Sequence, residues 1–337
     1  MVNFLRNKKI LITGGTGSIG SELVKQILKQ GCKTIRVLSN DENGLHDLSL
    51  NLKENSNFFD GMKKNKIRYF YGDVTDYQRM ISACEDIDIV VHAAAMKHVP
   101  ICEYNPFEAT KVNVIGTENM LKASLSNKVE KFILISTDKV VDPTTCLGAT
   151  KLLAEKITLN SNLNKGNKKT IFSVVRFGNV IGTRGSVLPK FIYQLKNNLK
   201  ITLTSEKTTR FFVSTKDSVN CIINSILMMK GGEIFVPKSI NSIKIYDLAI
   251  ALKKHYTLSK SKLIKIGLRS GEKNHEKIIT ESEYSNLKYY KNFFIIDKLN
   301  RHRITKVKKK IYYFDSSKAK LMKDNEIIKY LRDNFLL

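Results

Sequence analysis

The sequence has no long apolar run. None of its segments approaches the roughly 18 consecutive apolar residues of a membrane-spanning helix. The N-terminal part carries only a short apolar run before glycines, and no small-residue cleavage site follows it. We therefore expect neither a membrane segment nor a secretory signal, and we expect a cytoplasmic protein without a membrane partner.

Cysteines are few and scattered along the chain. The five of them are odd in number, and none forms a Cys-x-x-Cys pair. This spacing argues against a disulfide framework and against structural zinc, and it favours reduced thiols in a cytoplasm-like compartment. We therefore expect no metal site.

Acidic residues are scarce relative to basic ones. The chain has 57 lysines and arginines against 31 aspartates and glutamates, which gives a formal net charge of +26. Such a surplus suits a polyanionic partner such as nucleic acid. However, the lysines are spread over the whole chain, and no motif interleaves aromatic with basic residues. We therefore interpret the charge as compositional and expect no nucleic-acid partner, although a basic surface still attracts a nucleotide-linked substrate.

Short apolar runs alternate with helical patterns over the first 180 residues. A helical pattern at 18–31 ends at Gly31, a typical helix terminator. The alternation predicts an α/β fold of Rossmann type, a doubly wound parallel sheet. The predicted strands lie at residues 8–15, 34–39, 66–74, 88–95, 131–137 and 171–180.

The alternation loosens after residue 180. We predict a Rossmann domain over 1–180, to which later segments return, and a smaller mixed α/β substrate-binding lobe over 181–285. A C-terminal extension, 286–337, contains a basic run, a short strand at 311–314 and a final helix. Within 181–285 the predicted strands are 232–237 and 263–268, and the predicted helices are 219–230 and 245–256.

The segment TGGTGSIG joins the first predicted strand to the first predicted helix. Glycines here allow a tight turn and a close approach of backbone to a pyrophosphate, and the helix N-terminus offers free N–H groups. This context predicts a dinucleotide site; a tight turn without a ligand is the alternative. The residues expected at the site are Gly14, Thr16, Gly17, Ser18, Ile19 and Gly20.

Residues after the second, third and fourth strands are expected to complete the cofactor site. In the segment SNDE, Asp41 is available to hold the ribose diol of NAD, and the arginine that favours the 2′-phosphate of NADP is absent. Both NAD and NADP therefore stay open. The further expected contacts are Ser39, Asn40, Asp41, Asp73, Val74, Ala93 and Ala94.

More motifs follow in a fixed order. They are HAAAMKHVPICEYNP (92–106), ISTDK (135–139), LGATK (147–151), RFGNVIGTRGSVLP (176–189), TTRFFVS (208–214) and RSGEKNHE (269–276). Together with the glycine segment they resemble the extended short-chain dehydrogenase/reductase family, and within it the inverting UDP-N-acetylglucosamine 4,6-dehydratases. The resemblance covers residues 8–285 at the level of motifs. The remaining C-terminal residues resemble, more loosely, the extension of the capsule-pathway branch.

The resemblance implies a reaction in several steps. A hydride leaves C4 of UDP-N-acetylglucosamine for the nicotinamide, water is eliminated across C5 and C6, and the hydride returns to C6. The tightly bound NAD or NADP is thereby regenerated. The implied product is a UDP-2-acetamido-2,6-dideoxy-hexos-4-ulose with inverted C5, for surface polysaccharide or glycan synthesis. The resemblance also implies a homo-oligomer.

The resemblance assigns catalytic roles in the segment 136–151. Asp138 serves the C6 oxygen, and Lys139 serves C5, which requires a lysine with a lowered pKa. Lys151 holds the nicotinamide ribose. The family normally has a tyrosine four residues before this lysine for C4 oxidation, and here Leu147 stands there. The candidates for the C4 proton are Lys139, Thr137 and a water held by Lys151.

Leu147 occurs together with Cys102. The capsule-type branch has methionine at the tyrosine position and a cysteine in the loop after the fourth strand, which Cys102 matches. Cys102 either assists proton delivery or product turnover near C5 and C6, or is a small buried packing residue. Lys97 is expected to reach the cofactor, with a purely structural role as the alternative.

The resemblance also places residues around the UDP group, whose phosphates need cationic and amide donors. Glu272 is expected to accept hydrogen bonds from the uridine ribose, and Val187 to line the pocket. The expected donors are Asn179, Arg210 and Arg269.

Two other functions stay open. One is another NAD(P)-dependent sugar-nucleotide oxidoreductase, such as a 4-epimerase. The Asp138–Lys139 pair argues against it, because simple epimerases commonly have serine or threonine there. The other is a non-catalytic nucleotide-binding homologue, and the intact Asp138, Lys139 and Lys151 argue against that.

Overall fold

The computed structural model describes residues 4–54, 66–238, 240–302 and 314–337. Its strands are β1 (Lys9–Thr13), β2 (Thr34–Ser39), β3 (Ile67–Tyr71), β4 (Ile89–His92), β5 (Lys131–Thr137), β6 (Ile171–Phe177), β7 (Asn179–Val180), β8 (Ile201–Leu203), β9 (Thr209–Val213), β10 (Glu233–Pro237), β11 (Asn241–Lys244), β12 (Leu263–Lys265), β13 (Leu287–Tyr290) and β14 (Phe293–Asp297).

The α-helices are α1 (Ser18–Lys29), α2 (Glu42–Glu54), α3 (Tyr77–Cys84), α4 (Val99–Tyr104), α5 (Pro106–Thr110), α6 (Gly116–Ser126), α7 (Cys146–Asn164), α8 (Val187–Lys196), α9 (Thr215–Met228), α10 (Ile245–His255) and α11 (Asp324–Asp333). A π-helical turn, Lys111–Ile115, joins α5 to α6, and short 3₁₀ turns lie at Asp138–Val140 and Glu281–Asn286.

A nine-stranded sheet forms the centre of the fold. Its strand order is β3-β2-β1-β4-β5-β6-β10-β14-β13. The strands from β3 to β10 run parallel, and β14 runs antiparallel to both β10 and β13. The predicted α/β fold with a doubly wound parallel sheet is confirmed.

The sheet is covered on both faces, as its apolar sequences require. Along β1, Ile10 and Ile12 face a core shared with α1, α2 and α9. Leu11 between them faces a second core shared with α3, α6 and α7. The strand order reverses at β1, which pairs with β2 on one side and β4 on the other. A crevice at the carboxyl ends of β1 and β4 is the position where such sheets bind ligands.

A smaller lobe stands beside the sheet. It contains the three-stranded sheet β11-β9-β7, the two-stranded sheet β12-β8 and the helices α8, α10 and α11. Phe191, Phe212 and Leu252 are buried in its core together with Ile327 and Leu331 from the C-terminal helix.

Several strands from beyond residue 180 join the central sheet. Strand β10, from the expected lobe, and strands β13 and β14, from the expected extension, all belong to the central sheet. The apolar sequence FFIID of β14 is buried along its whole length against β10. Helix α11, also from the expected extension, belongs instead to the core of the lobe, because its apolar face needs cover.

Some sequence-based boundaries need adjustment. The strand expected at 263–268 is limited to Leu263–Lys265, and the strand at 171–180 divides into β6 and β7. Residues 311–313 of the strand expected at 311–314, and most of the basic run before it, lie outside the described residues. Within the described ranges, no helix is both long and apolar enough to cross a membrane.

A buried ion cluster connects three distant parts of the chain. The guanidinium of Arg176 on β6 donates to Glu155 Oε2 at 2.7 Å and to Glu283 Oε2 at 3.0 Å. All three side chains are buried. Arg176 also donates to the Ile278 carbonyl oxygen at 2.9 Å. The cluster therefore ties α7 and the segment before β13 to the sheet.

Replacement of Arg176 by methionine is expected to lower the free energy of unfolding by about 3–5 kcal/mol, because it leaves two buried carboxylates without a cation. Urea unfolding followed by circular dichroism measures this, since the chain has no tryptophan. The control is Lys122→Met, which removes an exposed ion pair with Glu118 and is expected to change nothing measurable. Equal stability of the two variants would contradict the role of the cluster.

Candidate cofactor and catalytic site

The glycine loop after β1 requires glycine for steric reasons. Gly14 has φ +63°, and a Cβ atom on it would lie 2.8 Å from the backbone nitrogen of Ala94. The ends of β1 and β4 are therefore in backbone contact. A Cβ atom on Gly17 would lie 3.2 Å from the Gly14 carbonyl oxygen. No other described atom outside its own helix and chain neighbours lies within 4 Å of it. Gly17 thus leaves open space beside the loop.

Helix α1 begins at this open space. Its N-cap residue is Gly17, no side chain caps its first N–H groups, and its first turn carries no acidic residue. The N–H groups of the first turn and the positive end of the helix dipole are available to an anion. The loop and the helix start therefore fit the pyrophosphate of a dinucleotide. Ser18, Ile19 and Gly20, expected at this site, form that first turn.

Residues expected near the adenosine ribose form a hydrogen-bonded group at the end of β2. The hydroxyl groups of Ser39 and Thr16 are 2.8 Å apart, and the Asp41 N–H donates to Ser39 Oγ at 3.1 Å. Asp41 Oδ1 accepts from the Gly44 N–H at 2.9 Å at the start of α2. The structure thus gathers Thr16, Ser39 and Asp41 at one edge of the crevice.

Asn40 and Asp73 meet across the ends of β2 and β3. Asn40 Nδ2 donates to Asp73 Oδ2 at 2.7 Å. Desolvation acts to raise the pKa of Asp73, but hydrogen bonds from Thr75 and Asn40 together hold it below the usual range. Asp73 is therefore an anion near neutral pH. Val74 beside it is buried, with Ala93 and Ala94 partly buried at the end of β4.

The catalytic candidates lie where β5 ends. Lys139 Nζ donates to Asp138 Oδ1 at 3.0 Å and to Asn179 Oδ1 at 3.1 Å. The Thr137 hydroxyl donates to the same Asp138 oxygen at 3.0 Å. Asp138 is fully buried, whereas the Lys139 side chain is 20% exposed. The structure therefore joins Asn179, expected to contact the substrate, to Asp138 and Lys139.

The second carboxylate oxygen of Asp138 has no hydrogen-bond partner among the described residues. Leaving a buried polar atom unpaired is costly, so such an atom calls for an explanation. A hydroxyl group of a bound ligand would satisfy it. The carboxyl group can then accept a hydrogen bond or, when protonated, donate one.

Lys151 is buried under the same strand end. Its Nζ donates to the Ile135 carbonyl oxygen at 2.8 Å. Burial lowers the pKa of Lys151 to about 8. A buried lysine with such a pKa exists in both protonation states near neutral pH, and this suits proton transfer.

His92, at the end of β4, is a buried residue beside the candidate site, and the sequence analysis assigned it no role. Burial and the nearby Lys151 lower its pKa to about 3, so the imidazole is neutral. Thr13 Oγ1 accepts from the Ala94 N–H at 3.2 Å and contacts His92 Nδ1 at 2.8 Å. The Thr117 hydroxyl donates to the Asn113 carbonyl oxygen at 2.7 Å, so it accepts from His92 Nε2–H at 3.1 Å. The neutral imidazole then accepts at Nδ1 from the Thr13 hydroxyl. This chain of hydrogen bonds fixes the loop at Ala94.

Leu147 and Cys102 pack against each other. Both are buried in a small apolar cluster with Ala109. Burial is the main cause that raises the pKa of the Cys102 thiol to about 11, so the thiol stays protonated near neutral pH. This environment favours the packing interpretation of Cys102 over a reactive thiolate.

Helix α4, which carries Cys102, and the loop before it are tied to helix α7. Asn113 Oδ1 accepts from the Met96 N–H at 2.8 Å, and Asn113 Nδ2 donates to Thr150 on α7 at 3.1 Å. In addition, Glu103 Oε1 accepts from the Cys146 N–H at 2.6 Å and thereby caps the start of α7. The position of Leu147 depends on these contacts.

Residues expected to bind the substrate lie on the smaller lobe. Arg210 pairs with Glu272 Oε1 at 3.2 Å, and Glu272 Oε2 accepts from the Arg269 N–H at 3.2 Å. Val187 begins helix α8. Lys190 on the same helix is a further cation that sequence analysis missed. Burial, and then the nearby Arg269, lower its pKa, so these two cations lie close to each other.

Lys97 contacts the loop between β7 and α8. Its Nζ donates to the Arg184 carbonyl oxygen at 3.0 Å. The expected contact of Lys97 with the cofactor stays a prediction. Across the described ranges, no three side chains of histidine, cysteine, aspartate or glutamate form a cluster that could hold a metal ion.

Comparisons with known proteins give several relatives. A UDP-N-acetylglucosamine 4,6-dehydratase (inverting) of Campylobacter jejuni is 44% identical over 86% of this chain and 82% of its own length. A UDP-glucose 4-epimerase of Rickettsia bellii is 40% identical over 86% of this chain and 83% of its own. A protein of Methanocaldococcus jannaschii, named an uncharacterized membrane protein, is 44% identical over 98% of this chain and 97% of its own.

The X-ray structure of Pen from Bacillus thuringiensis has the same fold over the whole chain. It superposes with a TM-score of 0.89 and 36% identity, covering 99% of this chain and 100% of that one. The profile of the family described as "Polysaccharide biosynthesis protein" matches residues 10–298. Because this match spans most of the sequence, the chain belongs to the polysaccharide biosynthesis protein family.

Proposed function

We propose that this protein is a 4,6-dehydratase of UDP-N-acetylglucosamine that inverts C5 of the sugar. The observation that carries the proposal is the Asp138–Lys139 pair at the end of β5, with one buried Asp138 oxygen left without a protein partner. The inverting dehydratase of Campylobacter jejuni, at 44% identity, supports the choice of substrate and reaction.

The crevice at the glycine loop is proposed to hold NAD or NADP. The N–H groups at the start of α1 would bind the pyrophosphate, and the group around Ser39 and Asp41 would face the adenosine ribose. Lys151 would hold the nicotinamide ribose. The bound nicotinamide supplies the acceptor and later the donor of a hydride.

Elimination of water across C5 and C6 needs one group that protonates the leaving hydroxyl and one that removes the C5 proton. We assign the first role to Asp138, one of whose carboxylate oxygens is buried and has no partner among the described residues. Lys139 has the second role, because it is partly exposed toward the crevice and is oriented by Asp138 and Asn179. In its neutral form the amine accepts the C5 proton.

The C4 hydroxyl needs its own proton acceptor, because Leu147 has none. Thr137, one candidate, already donates its hydroxyl proton to Asp138. Lys139 remains a second candidate. Lys151, with a pKa of about 8, is partly neutral near pH 7 to 8 and would take the proton through a bound water.

The competing function is sugar 4-epimerisation. It is favoured by the Rickettsia bellii relative, a UDP-glucose 4-epimerase at 40% identity. An epimerase returns the hydride to C4 and releases no water. A carboxyl group with an unpaired buried oxygen next to a lysine has no evident use in that reaction.

Incubation with UDP-N-acetylglucosamine in deuterated water separates these functions. NMR of the product is expected to show loss of water, a 4-keto group and deuterium at an inverted C5. The Lys139→Ala variant is expected to lose this activity, by about 100-fold or more, while still containing extractable NAD or NADP.

Lys156→Ala, which removes an exposed lysine on α7, serves as the matched control and is expected to act like the native protein. A C4 epimer that carries no deuterium at C5 would refute the dehydratase proposal. Substantial turnover by the Lys139 variant would refute the role of that lysine.

The buried ammonium of Lys151 predicts a dependence of stability on pH. Folding lowers the pKa of Lys151 from 10.5 to about 8, so the unfolded chain binds more protons between these values. Below pH 8 the folded protein is destabilised by the full free energy of burying the Lys151 ammonium. This destabilisation decreases as the pH rises from 8 toward 10.5.

Lys151→Met is therefore expected to have a higher free energy of unfolding than the native protein at pH 7. This difference is expected to be about 2 kcal/mol smaller at pH 10 than at pH 7. Urea unfolding followed by circular dichroism at both pH values measures the difference. Lys156→Met is the control, with no pH-dependent difference expected. A margin for Lys151→Met that is constant with pH would show that Lys151 is not buried as a cation.

We also propose that the protein forms a homo-oligomer through α4, α5 and the π-helical turn. Large apolar side chains on these neighbouring elements are exposed: Tyr104 is 87% exposed, Phe107 81% and Ile101 53%. Exposed apolar side chains that lie together mark protein contact surfaces.

The double variant Tyr104→Glu/Phe107→Glu is expected to have the mass of a smaller assembly by size-exclusion chromatography with light scattering. Its melting temperature measures whether the fold survives the substitutions. Tyr193→Glu changes an exposed tyrosine on α8 and is expected to keep the native mass. An unchanged mass for the double variant would place the interface elsewhere.

A further inference from the structure

The edge of the crevice after β2 has no basic residue of its own. The segment 39–42 reads Ser-Asn-Asp-Glu. Asn40 is exposed, and its amide donates to Asp73. The position from which an arginine would bind a 2′-phosphate is therefore occupied by an uncharged side chain that is already hydrogen-bonded.

Arg79 on α3 approaches this edge but is occupied. Its Nε donates to the Tyr71 carbonyl oxygen at 2.8 Å. Its guanidinium lies over the ring of Phe70, 4.1 Å from the centroid. The side chain is thus held against β3 and covers Gly72, where a Cβ would lie 2.7 Å from its Cγ. Binding a ligand would require Arg79 to give up these contacts.

Arg184 reaches the same edge from the other lobe. It lies in the loop between β7 and α8, and its N–H donates to Ser18 Oγ at 3.3 Å, at the start of α1. Its carbonyl oxygen accepts from Lys97. Two contacts therefore hold the Arg184 backbone over the place proposed for the pyrophosphate.

The side chain of Arg184 extends from there toward β2. Its Nη2 lies 3.8 Å from Asp41 Oδ2, and the side chain is 85% exposed. The arginine therefore spans the mouth of the crevice from the start of α1 to the ribose edge. An exposed ion pair at this distance contributes little, so the guanidinium is free to bind a stronger anion.

Asp41 lies at this edge and is partly engaged within the protein. One of its carboxylate oxygens accepts the Gly44 N–H at the start of α2, and the other faces Arg184. A 2′-phosphate at this edge would find a planar guanidinium able to donate two hydrogen bonds. The start of α2 is already capped by the Asp41 carboxylate and carries Glu42 in its first turn, so the Arg184 guanidinium has to supply the attraction.

We propose that Arg184 binds the 2′-phosphate of NADP in place of an arginine at position 40, and that it sets a preference for NADP over NAD. This inference rests on the proposed cofactor site but not on the dehydratase reaction. The smaller lobe would thereby contribute a residue to cofactor choice.

The test measures which nucleotide the purified protein contains. The protein is denatured, and the released NADP and NAD are separated and quantified by liquid chromatography. The native protein is expected to release mainly NADP. Arg184→Ala is expected to lower the ratio of NADP to NAD by about tenfold or more, with total nucleotide per chain reduced less than about twofold.

Two further variants make the result specific. Arg184→Ala combined with Asn40→Arg is expected to restore the NADP preference, because it returns a guanidinium to the ribose edge. Arg332→Ala removes an exposed arginine on α11, far along the chain in the other lobe, and is expected to leave the ratio unchanged.

Three results would overturn the proposal. They are a native protein that contains mainly NAD, an Arg184 variant with an unchanged ratio, and an Arg184 variant that loses both nucleotides equally. The last result would mean that Arg184 helps to retain either cofactor in the crevice but does not recognise the 2′-phosphate. Absence of turnover with UDP-N-acetylglucosamine would refute the proposed reaction, but it would not affect the conclusion drawn from the ratio of NADP to NAD.

Discussion

The contact between the backbones of Gly14 and Ala94 is the constraint on which the candidate site depends. It brings the ends of β1 and β4 together at the point where the strand order reverses. The hydrogen bonds from Thr13 through His92 to Thr117 hold this contact from inside the sheet. Because His92 is neutral, the connection does not change with pH in the physiological range. The crevice therefore has a rigid floor.

The walls of the crevice come from both lobes. Asn179 contacts Lys139, the loop of Arg184 contacts Ser18, and the Thr144 hydroxyl donates to the Gly271 carbonyl oxygen at 2.6 Å. The proposed chemistry needs this arrangement, since acid, base and cofactor lie on the sheet while the cations for the UDP group lie on the smaller lobe. Neither lobe alone presents the complete set.

Much of the fold could be predicted from the sequence. Strands rich in Val and Ile, such as β4 and β5, and the glycines after β1 are local signals, because their cause lies in adjacent residues. The hairpin of β13 and β14 was harder to place. Its residues form an apolar run of the same kind, but joining β10 depends on a surface assembled by distant segments.

Some residues of the candidate site could be predicted from the sequence, whereas others could be found only from the structure. Asp138 and Lys139 are adjacent in sequence, so a motif reveals them. The proximity of Arg184 to Asp41 appears only when the second lobe is placed against the first, and that of Lys190 to Arg269 only when the smaller lobe is folded. His92 lies within a motif recognised in the sequence. Its hydrogen bonds to Thr13 and Thr117 could not be predicted without knowing the register of the strands in the sheet.

The buried cluster around Arg176 has a consequence for synthesis of the chain. Glu155 lies 21 residues before Arg176 and is available as soon as β6 is made. Glu283 lies 107 residues after it. A growing chain on the ribosome therefore carries the first strands of the sheet with this charge cluster incomplete and with β10, β14 and β13 still missing from the edge. Completion of the central sheet therefore waits until β13 and β14 have emerged.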